Sequence, residues 1–211
     1  MGHATPTETS ASPCTCDCGS ACSGDGEASP SPEARRDTAM AAVTARFLAS
    51  TDGVLEEIAA EFGLTPREVA ACLPASTGVC VPGELFEEIM RDVSEWGVAL
   101  FLVHTPDLIL ECAGSVPYGT MAQGYFNLIG DSPIGGHLRR WRCAAIQFIS
   151  RPVMGHDSHA IVFFNIEGGV MFKIFVGRDA RHALKPDQVA RFLALRDRLA
   201  IHAEAGHERA G

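Results

Sequence analysis

The sequence predicts an α+β fold: a broad antiparallel β-sheet flanked by helices, with a helical hairpin region ahead of it. Three observations predict this. Residues 36–96 place apolar side chains at helical spacing, interrupted by Gly63 and Pro74 and ended by Gly97. Residues 98–177 are a succession of short runs rich in Val, Ile and Phe, separated by turn residues. Strands that follow one another through tight turns pair antiparallel, whereas parallel strands need a long crossover between them.

Residues 1–34 read as a tail. They are rich in Ser, Thr, Pro, Gly and acids, with almost no large apolar residue to offset the entropy of ordering. Within C-T-C-D-C-G-S-A-C, Cys14, Cys16, Cys18 and Cys22 form a candidate site for a soft metal such as zinc or copper(I). The spacing is not that of a zinc finger, and no second ligand pair follows. The N-terminus has neither a basic start nor an apolar h-region, so no secretory signal is visible. No apolar run is long enough to span a bilayer. A cytoplasmic location is expected, with reduced thiols, and Cys72, Cys80, Cys112 and Cys143 read as small core residues.

A single domain is expected over residues 35–205, with helices in 36–96, the sheet in 98–177 and a C-terminal helix over 186–204, leaving 206–211 frayed. An Ala-rich helix over 39–49 carries Val43, Phe47 and Leu48. A second, 54–62, lines up Leu55, Ile58, Ala59 and Phe62, and Gly63 ends it. Thr65, Pro66 and Glu68 start a third as N-cap, first helical residue and capping-box partner. A fourth, 84–96, buries Leu85, Phe86, Ile89, Val93 and Trp96. Strands are expected near 98–104, 108–112, 125–129, 138–141, 144–150, 160–165 and 170–176, with Glu167-Gly168-Gly169 as a hairpin turn. G-H-D-S-H, with His156 and His159, reads as a polar loop rather than a chelate, since two imidazoles rarely hold a metal without a third ligand.

Net charge is −9, unevenly placed: residues 134–185 carry eight bases against three acids. An acidic chain is a poor nucleic-acid partner, while a locally basic half suits a small anion such as a dicarboxylate. The 55–73 stretch imitates a helix-turn-helix, but Glu56, Glu57, Glu61 and Glu68 face Arg67 alone. A helical hairpin packed on the sheet is therefore expected rather than a base-reading element. None of the common hydrolase, nucleotide or dinucleotide motifs is present.

Among the apolar strands, three polar side chains stand out: His104 at a strand end, Tyr125 between Gly124 and Phe126, and His137 after Gly135-Gly136. Histidine and tyrosinate are protein ligands of haem iron. Such a ligand also needs an apolar wall, which Phe126, Phe172 and other strand phenylalanines would supply, and cations at the rim, for which Lys173 and Arg178 are candidates. Each has an ordinary structural reading too: a hydrogen-bonded strand-end histidine, a sheet tyrosine, a β-core phenylalanine.

The segments L-P-A-S-T, S-E-W-G, L-V-H-T, D-L-I-L-E, G-Y-F-N-L, S-P-I-G-G-H, F-F-N-I-E-G and K-I-F-V-G-R-D occur in that order. The chain resembles in this the cytosolic haem carriers called HutX, ChuX or HuvX, over roughly residues 50–203. The resemblance implies a helix-flanked antiparallel sheet and a homodimer shaped like the internally duplicated HemS/ChuS proteins. It links His104 and His137 to haem binding and makes Tyr125 a ligand candidate. It implies a non-enzymatic carrier that accepts imported haem and delivers it to a haem-degrading or haem-using protein, with no nucleic acid and no stable membrane insertion. A haem-degrading oxygenase of HemS/ChuS type is the alternative, ahead of a DNA-binding regulator. The tail cysteines are no part of the family pattern. V-P-Y-G-T-M-A-Q also departs from it, since relatives can carry histidine there.

Overall fold

Ser31 and Pro32 start the first helix earlier than the apolar pattern indicates. Ser31 Oγ accepts from the Ala34 N–H at 3.1 Å and Pro32 needs no donor partner, so α1 runs Pro32–Ala49. The computed structural model describes residues 30–208, with side chains as far as residue 201. Cys14, Cys16, Cys18 and Cys22 lie outside the described residues.

α2 (Leu55–Phe62) ends at Gly63, which takes the left-handed conformation at φ 65°. α3 (Pro66–Ala71) carries the capping box that its sequence predicts: Glu68 N–H donates to Thr65 Oγ1 at 3.3 Å, and Thr65 N–H donates to Glu68 Oε2 at 2.7 Å. α4 is shorter than expected, Phe86–Val93, because its first turn, Gly83–Leu85, is a 3₁₀ turn. α5 runs Pro186–Glu208, past the expected end at 204.

The strands are β1 (Gly78–Pro82), β2 (Val98–His104), β3 (Ile109–Ser115), β4 (Gly119–Ala122), β5 (Tyr125–Leu128), β6 (Gly136–Leu138), β7 (Cys143–Val153), β8 (His156–Asn165) and β9 (Val170–Phe175). They form a six-stranded antiparallel sheet, order β1-β7-β8-β9-β2-β3, and a three-stranded sheet, β4-β5-β6. Three expectations are corrected. β1 and β4 are strands that the sequence pattern does not predict. The run at 138–141 gives way to a 3₁₀ turn, Arg140–Arg142. His156, Asp157 and His159 belong to β8, not to a loop. The β7–β8 turn is Met154-Gly155, both at positive φ (52° and 77°), the backbone that a two-residue hairpin requires.

Alternation along the strands splits the core in two. Ile161 and Phe163 of β8, with Ile146, Phe148, Phe101, Phe172 and Ile174, pack against α4, α5 and the small sheet. Ala160, Val162 and Phe164, with Ile149, pack against α1, α2 and α3. The helix-turn-helix mimic thus spends Leu55, Ile58, Ala59, Val69 and Ala70 on the sheet. Phe126 reaches the first core only because β4 offers a glycine: a Cβ on Gly119 would meet its ring at 2.0 Å. No helix of the described residues is long and apolar enough to cross a membrane.

Candidate ligand-binding cleft

α2 covers only part of its sheet face. Beside it, Leu100, Leu102 and His104 of β2, Ile149 and Arg151 of β7, Ala160 and Val162 of β8 and Lys173 and Phe175 of β9 line a cleft of about 900 Å³. Cross-strand register puts them on one face, pairing Leu102 with Lys173, Lys173 with Val162 and Leu100 with Phe175. The volume falls within the ~300–1,000 Å³ typical of small-molecule sites. Gly53, Val54, Leu55 and Glu57 close it on the helix side, and Arg178, Asp179, His182 and Leu184 at the mouth.

Polar groups of both layers line it or pair with its lining residues. Lys173 Nζ donates to Glu56 Oε2 at 2.7 Å, and His104 Nδ1 lies 3.6 Å from the same oxygen. Glu56 Oε1 is buried without a hydrogen-bond partner. Burial pushes the Lys173 ammonium below its usual range, and the Glu56 carboxylate works against that. Arg151 is buried too; its Nη1 donates to the Thr51 and Pro152 carbonyls at 2.6 and 3.2 Å, while its Nε has no partner. Asp52 accepts from the Gly155 and Gly53 N–H groups at 2.8 and 2.6 Å, and the Gly155 contact leads in holding its carboxyl below the usual range. These bonds lace the loop before α2 to the β7–β8 turn.

The small sheet gathers a second set. Tyr125 and Asn127 share one face of β5, and His137 of β6 stands directly across from Asn127. The rings of Tyr125 and His137 lie edge to face, 5.9 Å apart, and His137 Nδ1 is 2.6 Å from Asn127 Oδ1. Tyr125 and His137 are both exposed. Neither lines the cleft.

A family model described as haem utilisation ChuX/HutX matches residues 79–195, more than half of the chain. The chain belongs to the ChuX/HutX family. It is 34% identical over 139 residues to the intracellular heme transport protein HutX of Vibrio cholerae serotype O1, covering 65% of this chain and 72% of that protein. The structure of the heme binding protein ChuX superposes with a TM-score of 0.69 at 39% identity, over 74% of this chain and 98% of that one. Holo-PhuS, a heme-binding protein from Pseudomonas aeruginosa, matches at a TM-score of 0.60 and 14% identity, over 78% of this chain and 47% of its own; that likeness is one of fold alone.

Within this ChuX/HutX chain the expected site residues fall into three places. His104, Lys173 and Arg178 reach the cleft, although Arg178 spends its guanidinium on the His182 and Asp157 carbonyls. Tyr125 and His137 meet on the small sheet. Phe126 and Phe172 do not wall the cleft; they are core residues, 3% and 1% exposed. Strand alternation explains the placement: neighbours in a strand point to opposite faces, so Phe126 lies opposite Tyr125 and Phe172 opposite Lys173. Glu56, Arg151 and Asn127 are not among the site residues to which the sequence points. Arg151 and Lys173 had a visible signal, a lone charge inside an apolar strand run, which demands a buried partner. Among the described residues no cluster of three His, Cys, Asp or Glu side chains is placed to hold a metal ion.

Proposed function

We propose that this chain is a cytoplasmic haem carrier, accepting imported haem and delivering it to a haem-degrading or haem-using protein. The observation that carries the reading is the α2 cleft, where apolar strand faces surround His104 and the buried cations Arg151 and Lys173. Haem calls for that combination: an apolar slot for the macrocycle, a nitrogen donor for iron and positive charge for two propionates. Glu56 Oε2 lies 3.6 Å from Nδ1 of His104, a charge neighbour beyond hydrogen-bond reach. Tyr125 and His137 form a second donor pair on the small sheet, and a tyrosinate there would favour ferric iron. The names of HutX and ChuX support the same ligand. The reading includes a homodimer. The edge strand β3, with Ile109 and Leu110 exposed, supports a second copy pairing there.

Haemin titration of the purified protein tests this. A Soret band saturating near one equivalent is expected. His104→Ala, Tyr125→Phe and His137→Ala are each compared with His159→Ala, and the Soret and charge-transfer bands separate imidazole from tyrosinate ligation. Absorption that only grows as for free haemin would overturn the carrier reading. Identical spectra in all four variants would show that iron is held elsewhere. Adding a reductant and oxygen to the loaded protein is expected to give no biliverdin-like product; such a product would favour the oxygenase.

A further inference from the structure

We propose that Asn127 is a positioning residue that fixes the tautomer of His137, placing the proton on Nδ1 and leaving the Nε2 lone pair free for a metal. Its extension to the iron of haem rests on the reading above; the tautomer itself does not.

Asn127 is buried, 8% exposed. Its amide nitrogen faces three backbone carbonyls, those of Thr120, Ala122 and Tyr125, at 3.2, 3.1 and 3.0 Å. Carbonyl oxygens only accept, so the group turned toward them is the NH₂. Rotating the amide by half a turn would set an oxygen against three oxygens and the NH₂ against His137. The orientation of Asn127 is therefore dictated by its partners. What remains for His137 is Oδ1, an acceptor, 2.6 Å from Nδ1. An acceptor at that distance requires Nδ1 to carry the hydrogen. In neutral imidazole the other nitrogen then holds the lone pair.

Free histidine in water favours the opposite tautomer, so this arrangement is imposed by the sheet. Asn127 and His137 are direct cross-strand partners of β5 and β6, which fixes the contact by register. His137 is exposed, so a ligand can reach its outer edge. A histidine that binds metal through one nitrogen commonly donates its other N–H to a fixed acceptor, which sets ring orientation and raises ligand basicity. In sequence Asn127 is the N of G-Y-F-N-L, one strand from the histidine it serves.

The test is long-range ¹H–¹⁵N correlation of the histidine rings in the full-length protein at about pH 8, above the ordinary imidazole range. His137 is assigned by the signal lost in His137→Gln. A protonated Nδ1 and an unprotonated Nε2 are expected; a dominant Nε2–H form would overturn the proposal whatever haem does. Asn127→Ala is expected to shift His137 toward the Nε2–H form and to weaken haemin binding about 10- to 100-fold. An unchanged tautomer in a folded Asn127→Ala would also overturn it. Should that variant lose the small sheet, as amide shifts of residues 119–128 would reveal, the wild-type tautomer alone decides. If the tautomer is as stated but His137→Ala leaves the haemin spectrum and affinity untouched, the haem reading of this pair fails and the tautomer assignment stands.

Discussion

His159 shows how a single side chain couples folding to pH. Its ring packs 5.1 Å from that of Phe192, and its Nδ1 is 2.7 Å from Ser150 Oγ. Burial pushes its protonation below the ordinary imidazole range; Arg196 adds to this and Asp157 opposes it. The folded state therefore binds this proton less readily than the unfolded chain. The resulting stability is fully present above about pH 6.5 and is lost as pH falls through the lowered folded value. A fall in urea midpoint is expected as pH drops from about 6.5 toward 5, and His159→Gln should flatten it. An equal fall in the variant would assign the effect to other groups. Asp52, also held below its usual range, adds its own loss only at lower pH. At this scale the sequence is a good guide to residue type and a poor one to facing. Residue type makes Tyr125 and Phe126, like Phe172 and Lys173, ligand-contact candidates alike, although a strand sends neighbours to opposite sides.

Elements were legible where their signals are local. The capping box of α3, the left-handed Gly63 and the Gly168 turn, at φ 86°, each depend on a few adjacent residues. β1 and β4 carry weak local signals because both are short: β1 finds its mate only in β7, more than sixty residues on, and β4 is the brief run G-T-M-A, paired with β5 across Gln123-Gly124. The α2–β9 tie was equally hidden, since Glu56 looks like one more solvated acid of a helix face until Lys173 is placed beneath it at 2.7 Å. Lys173 is 6% exposed, so this pair is desolvated rather than screened. Removing one partner strands the other, and Glu56 already has one unpartnered oxygen. Lys173→Met is expected to cost about 3–5 kcal/mol in denaturant titration. The double change Glu56→Leu, Lys173→Met should recover most of that, because it leaves no buried charge unmatched. A neutral Lys173→Met would mean that water reaches Glu56 and that α2 is held by its apolar stripe alone.

For the whole molecule, the sequence-level reading of a helix-flanked antiparallel sheet holds, and the family shares it. What it did not supply is how the sheet divides its two faces. One face, closed by α4, α5 and the small sheet, is continuous core; the other is only partly covered, and the uncovered remainder is the cleft. Every member of both cores lies between Val43 and Leu199. Ser31 caps α1 from within the compact unit Ser31–Gly211. Among the described residues both cores and the cleft are complete in themselves, the cleft lining beginning at Gly53. Removing residues 1–29 should leave the urea midpoint and the haemin end point unchanged, while any zinc or copper(I) binding by Cys14, Cys16, Cys18 and Cys22 goes with the tail. Calorimetric titration of both lengths with haemin and with zinc measures this. A truncated protein that folds but no longer saturates with haemin would bring the tail thiols into the site, because soft thiolates are themselves competent ligands for haem iron.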